Sequence, residues 1–140
     1  MQYQIVIKRV YDDALRQDGA RFLTDRIWPR GIKKADLQLT DWLKSVCPSN
    51  TLRKDWHAGK LNYETFCDKY RAEICQSPEA LQPLMQAARQ GRITLLTAVK
   101  DPDKSHMPVL KNALLEALAN EDKQQNGSHA SAVCYDGNTD

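Results

Sequence analysis

The most constraining segment of this chain is Arg92-Ile-Thr-Leu-Leu-Thr-Ala-Val99, a short apolar run between Gly91 and a polar loop. It has little polar/apolar alternation, which suits a strand covered on both faces, as strands are inside parallel sheets. Parallel neighbours need long crossover connections, usually helical. The rest of the chain can supply both neighbours and crossovers. Residues 3–10 are β-branched and apolar, a first strand by composition. Residues 21–28 read as a second strand after the turn signal Asp18-Gly19. Period two would put Phe22, Thr24, Arg26 and Trp28 on one face and Leu23, Asp25 and Ile27 on the other. Pro29-Arg30-Gly31 stops that strand. The reading is a small α/β domain of about three or four mainly parallel strands flanked by helices, with 21–28 beside 92–99. A compact α+β arrangement is the alternative.

Five helical stretches are expected. Leu39, Trp42, Leu43 and Val46 follow i, i+3, i+4, i+7 spacing, and Pro48 ends the run. Ser49 or Asn50 can cap a short helix carrying Leu52 and Trp56, and Asn62 can cap a longer one carrying Tyr63, Phe66, Cys67, Tyr70 and Ile74. Ser77-Pro78 is another start signal, but Pro83 would break a backbone bond inside that helix. A kink, or a late start at Pro83, resolves the conflict. A last helix opens at Pro108 and carries Leu110, Ala113, Leu114, Ala117 and Leu118.

Length and composition fit one domain over residues 1–120. The chain has 140 residues, 41% hydrophobic and 27% charged, enough to bury a core without a metal or disulfide staple. No apolar run exceeds four residues, so no membrane-spanning helix is expected, and early charge at Lys8, Arg9, Asp12 and Asp13 argues against a signal peptide. A cytoplasmic location follows as the expectation. Residues 121–140 are polar and aperiodic and read as a disordered tail, which includes Cys134 and His129. Cys47, Cys67 and Cys75 read as small buried hydrophobes. No Cys/His spacing suggests a metal site, and no glycine-rich phosphate loop or other cofactor motif is present.

In an open α/β sheet, ligands bind beyond the carboxyl ends of the strands. Two polar segments fall there, Asp25 to Gly31 and Lys100 to His106, and the second leads into a helix N-terminus. Arg26 and Arg30 could grip a phosphate or carboxylate through two hydrogen bonds each, with Lys100 adding charge. They could equally be structural partners of Asp25 or Asp41. His106 and Asp25 are the candidates for proton transfer; the competing readings are a helix-capping histidine and an ion-paired aspartate. The basic run Arg21, Arg26, Arg30, Lys33 and Lys34, with Trp28, suggests a second function, nucleic-acid binding. Against it stand a net charge of only +2 and a pI of about 8.3. A third reading is a regulatory or scaffold protein whose arginines are structural. Oligomeric state is not legible.

One string is distinctive: Thr24-Asp25-Arg26-Ile27-Trp28-Pro29-Arg30-Gly31, preceded by Arg9-Val10-Tyr11-Asp12 and Asp18-Gly19-Ala20-Arg21. With Trp42-Leu43-Lys44, Pro48-Ser49, Leu52-Arg53-Lys54, Tyr70-Arg71-Ala72-Glu73 and Ala98-Val99-Lys100-Asp101, it resembles the YeaO-like family, in the domain of unknown function numbered 488. The resemblance covers about residues 5–118. It implies a small bacterial α/β protein of about this length and carries no particular reaction with it. The family's characteristic polar residues fall on Arg9, Asp25, Arg26, Arg30, Lys100 and His106. The family usually has Asn-His-Ala before the last helix, whereas this chain has Ser105-His106-Met107, in which Ser105 can still cap.

Overall fold

The computed structural model describes residues 2–125. Four strands, β1 (Ile5–Arg9), β2 (Ala20–Leu23), β3 (Asp41–Trp42) and β4 (Ile93–Thr97), form one parallel sheet in the order β1-β4-β2-β3. All five β4 residues are buried. The unalternating sequence of β4 therefore has the expected cause: it is an inner strand with both faces covered.

The register explains how two cores form. Ile5 pairs with Ile93, and Ile7 and Phe22 both flank Leu95. These side chains share the face covered by α2 (Asn50–His57), α3 (Tyr63–Gln76), α4 (Gln82–Gln90) and α5 (Met107–Gln125), where the larger core lies. Leu23 and Leu96, also partners, point to the other face. There they meet Val10 and Leu37, with Trp28, Ile32, Leu39 and Trp42 packed around them. That face is covered by irregular chain and the single turn of α1 (Lys34–Leu37) rather than by long helices.

Three expectations are corrected. The second strand ends at Leu23, not 28, so residues 25–28 leave the sheet and the two-residue alternation stops there. The helix expected over 39–46 is instead the edge strand β3 followed by a 3-10 turn, Lys44–Val46. Its apolar residues imitate a helical stripe because they serve both cores: Leu43 and Val46 enter the larger, Leu39 and Trp42 the smaller. The last helix runs on to Gln125, so residues 121–125 do not belong to a tail. Glu121 and Asp122 tie Arg89 of α4 at 2.7 and 2.8 Å, and Asp122 also accepts from Tyr3. The remainder of the expected tail, with Cys134 and His129, lies outside the described residues.

Other local readings hold. Ser49 caps α2 and Asn62 caps α3, each accepting from a backbone N–H. The Pro83 conflict resolves as a late start: a 3-10 turn covers Pro78–Leu81, and Pro83 occupies the first turn of α4, where no backbone bond is lost.

The turn into β2 is held by a buried ionic cluster. Asp18 accepts from Lys8 at 3.1 Å, from Arg21 at 2.5 Å and from the Leu15 N–H at 2.9 Å. Burial pushes the Asp18 carboxyl up, but the Leu15 amide and the two cations together hold it below its usual value. Gly19 follows with φ +69, and a Cβ there would collide with the Arg92 carbonyl oxygen that receives the Ala20 N–H. Gly19→Ala combines left-handed strain with a backbone clash and should destabilise the domain by at least ~2 kcal/mol. Chemical denaturation at fixed pH measures it, and an unchanged midpoint would contradict this account of the turn.

Candidate functional site

A cavity of about 520 Å³ opens beyond the carboxyl ends of β2 and β4. It is built from the segments that follow the strands and from the face of α2 that looks toward them. Asp25, Arg26, Ile27, Trp28, Pro29 and Arg30 come from the chain after β2. Arg53, Trp56 and His57 come from α2, and Asp101, Lys104, Ser105 and His106 from the chain between β4 and α5. Of the residues singled out by the strand-end argument, Asp25, Arg26, Arg30, Ser105 and His106 come together in the lining of this cavity. Arg9 and Lys100 do not line the cavity.

Asp25 is the most connected of these residues. Its carboxylate accepts the Thr97 hydroxyl at 2.8 Å and the Ala98 N–H at 2.7 Å, and its carbonyl accepts the Trp42 indole N–H at 2.5 Å. It thus joins the ends of β2, β3 and β4. His106 stands beside it, with Nε2 3.5 Å from Asp25 Oδ1 and 2.6 Å from the Thr24 carbonyl oxygen. A carbonyl only accepts, so Nε2 carries the hydrogen. Burial pushes the His106 pKa down, against the pull of the Asp25 charge and the bond to Thr24. The ring is neutral at neutral pH.

The arginines divide into two groups. Arg26 donates from Nε to the Pro48 carbonyl at 2.6 Å and more weakly to that of Cys47, so it fixes the loop that leads to α2. Arg9 donates to the Val99 carbonyl at 3.0 Å and lies over the Tyr11 ring. Arg21, counted by sequence with the basic segment, is buried, and it serves Asp18 and the Leu37 carbonyl. Arg30 is exposed and lines the cavity, while Lys100 is exposed outside it. Ser105 caps α5 by accepting from the Met107 N–H at 3.1 Å, as its position suggested.

Sequence reasoning overlooked Arg53, Lys104 and the aromatic wall. Arg53, Trp56 and His57 are spaced i, i+3, i+4 on α2 and so share a face, a signal that was available in the sequence. Trp56 stacks on Phe66, Phe66 on Tyr70, and the Tyr70 ring meets His106 edge-on. Cys47 also lines the cavity, with its thiol pushed up to about 12 by burial and then by the Asp25 charge, so it stays protonated at neutral pH. Among the described residues no group of His, Cys, Asp and Glu could hold a metal ion, and no helix is long and apolar enough to cross a membrane.

A family profile described as the inactive DUF488-N3 subclade matches residues 4–136. The uncharacterized protein YeaO of Escherichia coli K12 is 44% identical over 110 residues, 79% of this chain and 96% of that protein. The uncharacterized protein Rv3073c of Mycobacterium tuberculosis H37Rv is 36% identical over 111 residues, 79% of this chain and 93% of that protein. The chain belongs to the YeaO-like DUF488 family. No solved structure is significantly similar to it. This YeaO-like chain retains the Asp-Arg-x-Trp-Pro-Arg-Gly string that marks the resemblance, and the string wraps the cavity mouth.

The buried imidazole predicts a pH dependence. A folded-state pKa below the unfolded value means that folding favours the neutral ring. That contribution is complete above about pH 6.5 and is lost as the pH falls from there through the depressed value. His106→Gln can keep the donor to Thr24 without titrating. Its melting temperature should vary less between pH 7 and pH 5 than that of the wild type, as followed by circular dichroism. Parallel curves for the two proteins would show that His106 is not buried as a neutral ring.

Proposed function

We propose that this protein is a non-catalytic binding domain whose cavity takes a small anion bearing a phosphate or carboxylate. The observation that supports this best is the charge of the lining, where Arg26, Arg30, Arg53 and Lys104 face Asp25 and Asp101. A guanidinium fork can pair two oxygens of a carboxylate or a phosphate, and a half-enclosed cavity strengthens the attraction by thinning the water. Arg26 and Ser105 shape this site through the bonds they make, and Arg9 steadies the Val99 loop from outside it.

Two features favour binding over turnover. Asp25 is held by Thr97 and Ala98, and the His106 Nε–H by Thr24, so both groups have a structural role that needs no reaction to account for it. The subclade's description as inactive agrees with a site that has kept its shape without its chemistry. The nucleic-acid reading loses support from the burial of Arg21 and the engagement of Arg26, which leave Arg30, Lys33 and Lys34 as the outward cations of that segment. A cytoplasmic location suits the free thiols of Cys47, Cys67 and Cys75.

Arg30 provides the cleanest test because its side chain is exposed and only its carbonyl is used, by Tyr11. Wild type and Arg30→Ala would be titrated calorimetrically with inorganic phosphate, citrate and a sugar phosphate. An anion should bind the wild type more weakly as salt rises. In Arg30→Ala its Kd should increase about tenfold, or ~1.4 kcal/mol, with no change in the melting temperature of the free protein. Absence of binding by all three anions, or equal Kd values for the two proteins, would refute the proposal.

A further inference from the structure

Arg53 and Trp56 narrow the class of anion. The Arg53 Nε–H is buried and has no acceptor among the described residues. Buried donors are nearly always paired and an unpaired one is destabilising, so Arg53 stands out as a cavity-lining cation whose Nε–H the protein leaves unanswered. Trp56 lies on the same face of α2, three residues on, within a single helical turn. Its indole is held flat by a stack. Its centroid is 5.0 Å from that of Phe66 at 23°, Phe66 is 6.2 Å from Tyr70 at 24°, and Tyr70 is 5.9 Å from His106. Phe66 and Tyr70 are buried, whereas Trp56 is half-buried, and Trp56 lines the cavity together with Phe66 and His106. An aromatic platform one turn from a guanidinium whose Nε–H is unpaired is a two-part recognition element.

We infer that the cavity binds an aromatic anion, a planar ring carrying a phosphate or carboxylate, with its anionic group on Arg53 and its ring against Trp56. The inference rests on the anion reading above and adds the ring. Nucleoside monophosphates and aryl carboxylates share this chemistry. The volume of about 520 Å³ lies in the range of small-molecule sites. Stacking on an aromatic side chain tolerates many rings, so the anion sets the position and the ring sets the affinity.

The test is calorimetric titration of the full chain with two pairs of probes: inorganic phosphate against adenosine 5′-monophosphate, and acetate against indole-3-acetate. In the wild type at least one ring-bearing anion should bind about tenfold or more tighter than its parent ion. Trp56→Leu should abolish that advantage while leaving the parent ion's Kd unchanged, and Trp56→Tyr, which keeps a ring, should restore most of it. Arg53→Met should weaken both members of the pair at least tenfold. Because it removes an unpaired donor, it should melt no lower than the wild type without ligand. If phosphate or acetate binds and the ring adds nothing, this inference falls and the anion reading stands. If no probe binds, both fall. An Arg53→Met protein that melts several degrees early would make Arg53 structural and overturn its assignment as the anchor.

Discussion

The carboxylate of Asp25 is the interaction on which this end of the molecule depends. Parallel strands end without a hairpin, so nothing local holds their carboxyl ends together. Here one side chain does so. It receives Thr97 and Ala98 at the end of β4, while its own carbonyl receives the Trp42 indole of β3. The segments that diverge from this point have to bend away from the sheet, and the space between them is the cavity. His106 completes the joint by bonding Thr24 from the start of α5. Removing a buried acceptor of this kind strands its donors, which costs more than the bonds themselves contribute.

That joint also explains how the cations are shared out. Arg9, Arg21 and Arg26 each donate to backbone carbonyls, and Arg21 also to Asp18. They act as long, rigid ties between loops, a role for which a guanidinium fork is better suited than lysine. Arg30, Arg53 and Lys104 remain around the opening. A run of basic residues in sequence is thus not a basic surface. Of the arginines between positions 21 and 30, one lies under the sheet's second face, one under a loop, and one in solvent.

Much of the fold was legible because β4 obeys a simple rule: a short, unalternating apolar strand must be covered twice. The caps of α2 and α3 and the late start of α4 were readable for equally local reasons, a side-chain acceptor or a missing N–H. The 39–46 segment was misread because apolar spacing records burial and not backbone conformation. Residues that enter two different cores from an irregular path can fall on a helical period by accident. The lining of the cavity was legible only in part. Asp25, Arg26, Arg30 and His106 stand in one conspicuous string or next to a helix start, whereas Arg53 and Lys104 are ordinary charges until the fold brings them to the opening. Whether a given arginine is a tie or a ligand depends on the carbonyls near its tip, and these come from segments 16 to 90 residues away.

An unsatisfied Arg53 in an otherwise well-paired structure is best understood as a cost retained for a purpose. Within the described residues it is the sole buried side-chain polar atom without a partner, although the protein pairs difficult groups elsewhere, including the Asp18 cluster and the Tyr70 hydroxyl, which reaches the Val46 carbonyl at 2.5 Å. A sequence free to optimise stability alone would replace that arginine with an apolar residue of similar shape, since nothing in the protein answers its Nε–H. Asp25 and His106 invite the opposite conclusion. Both make hydrogen bonds within the chain that account for their positions. The contrast separates side chains that the fold itself employs from one whose Nε–H the fold leaves unanswered.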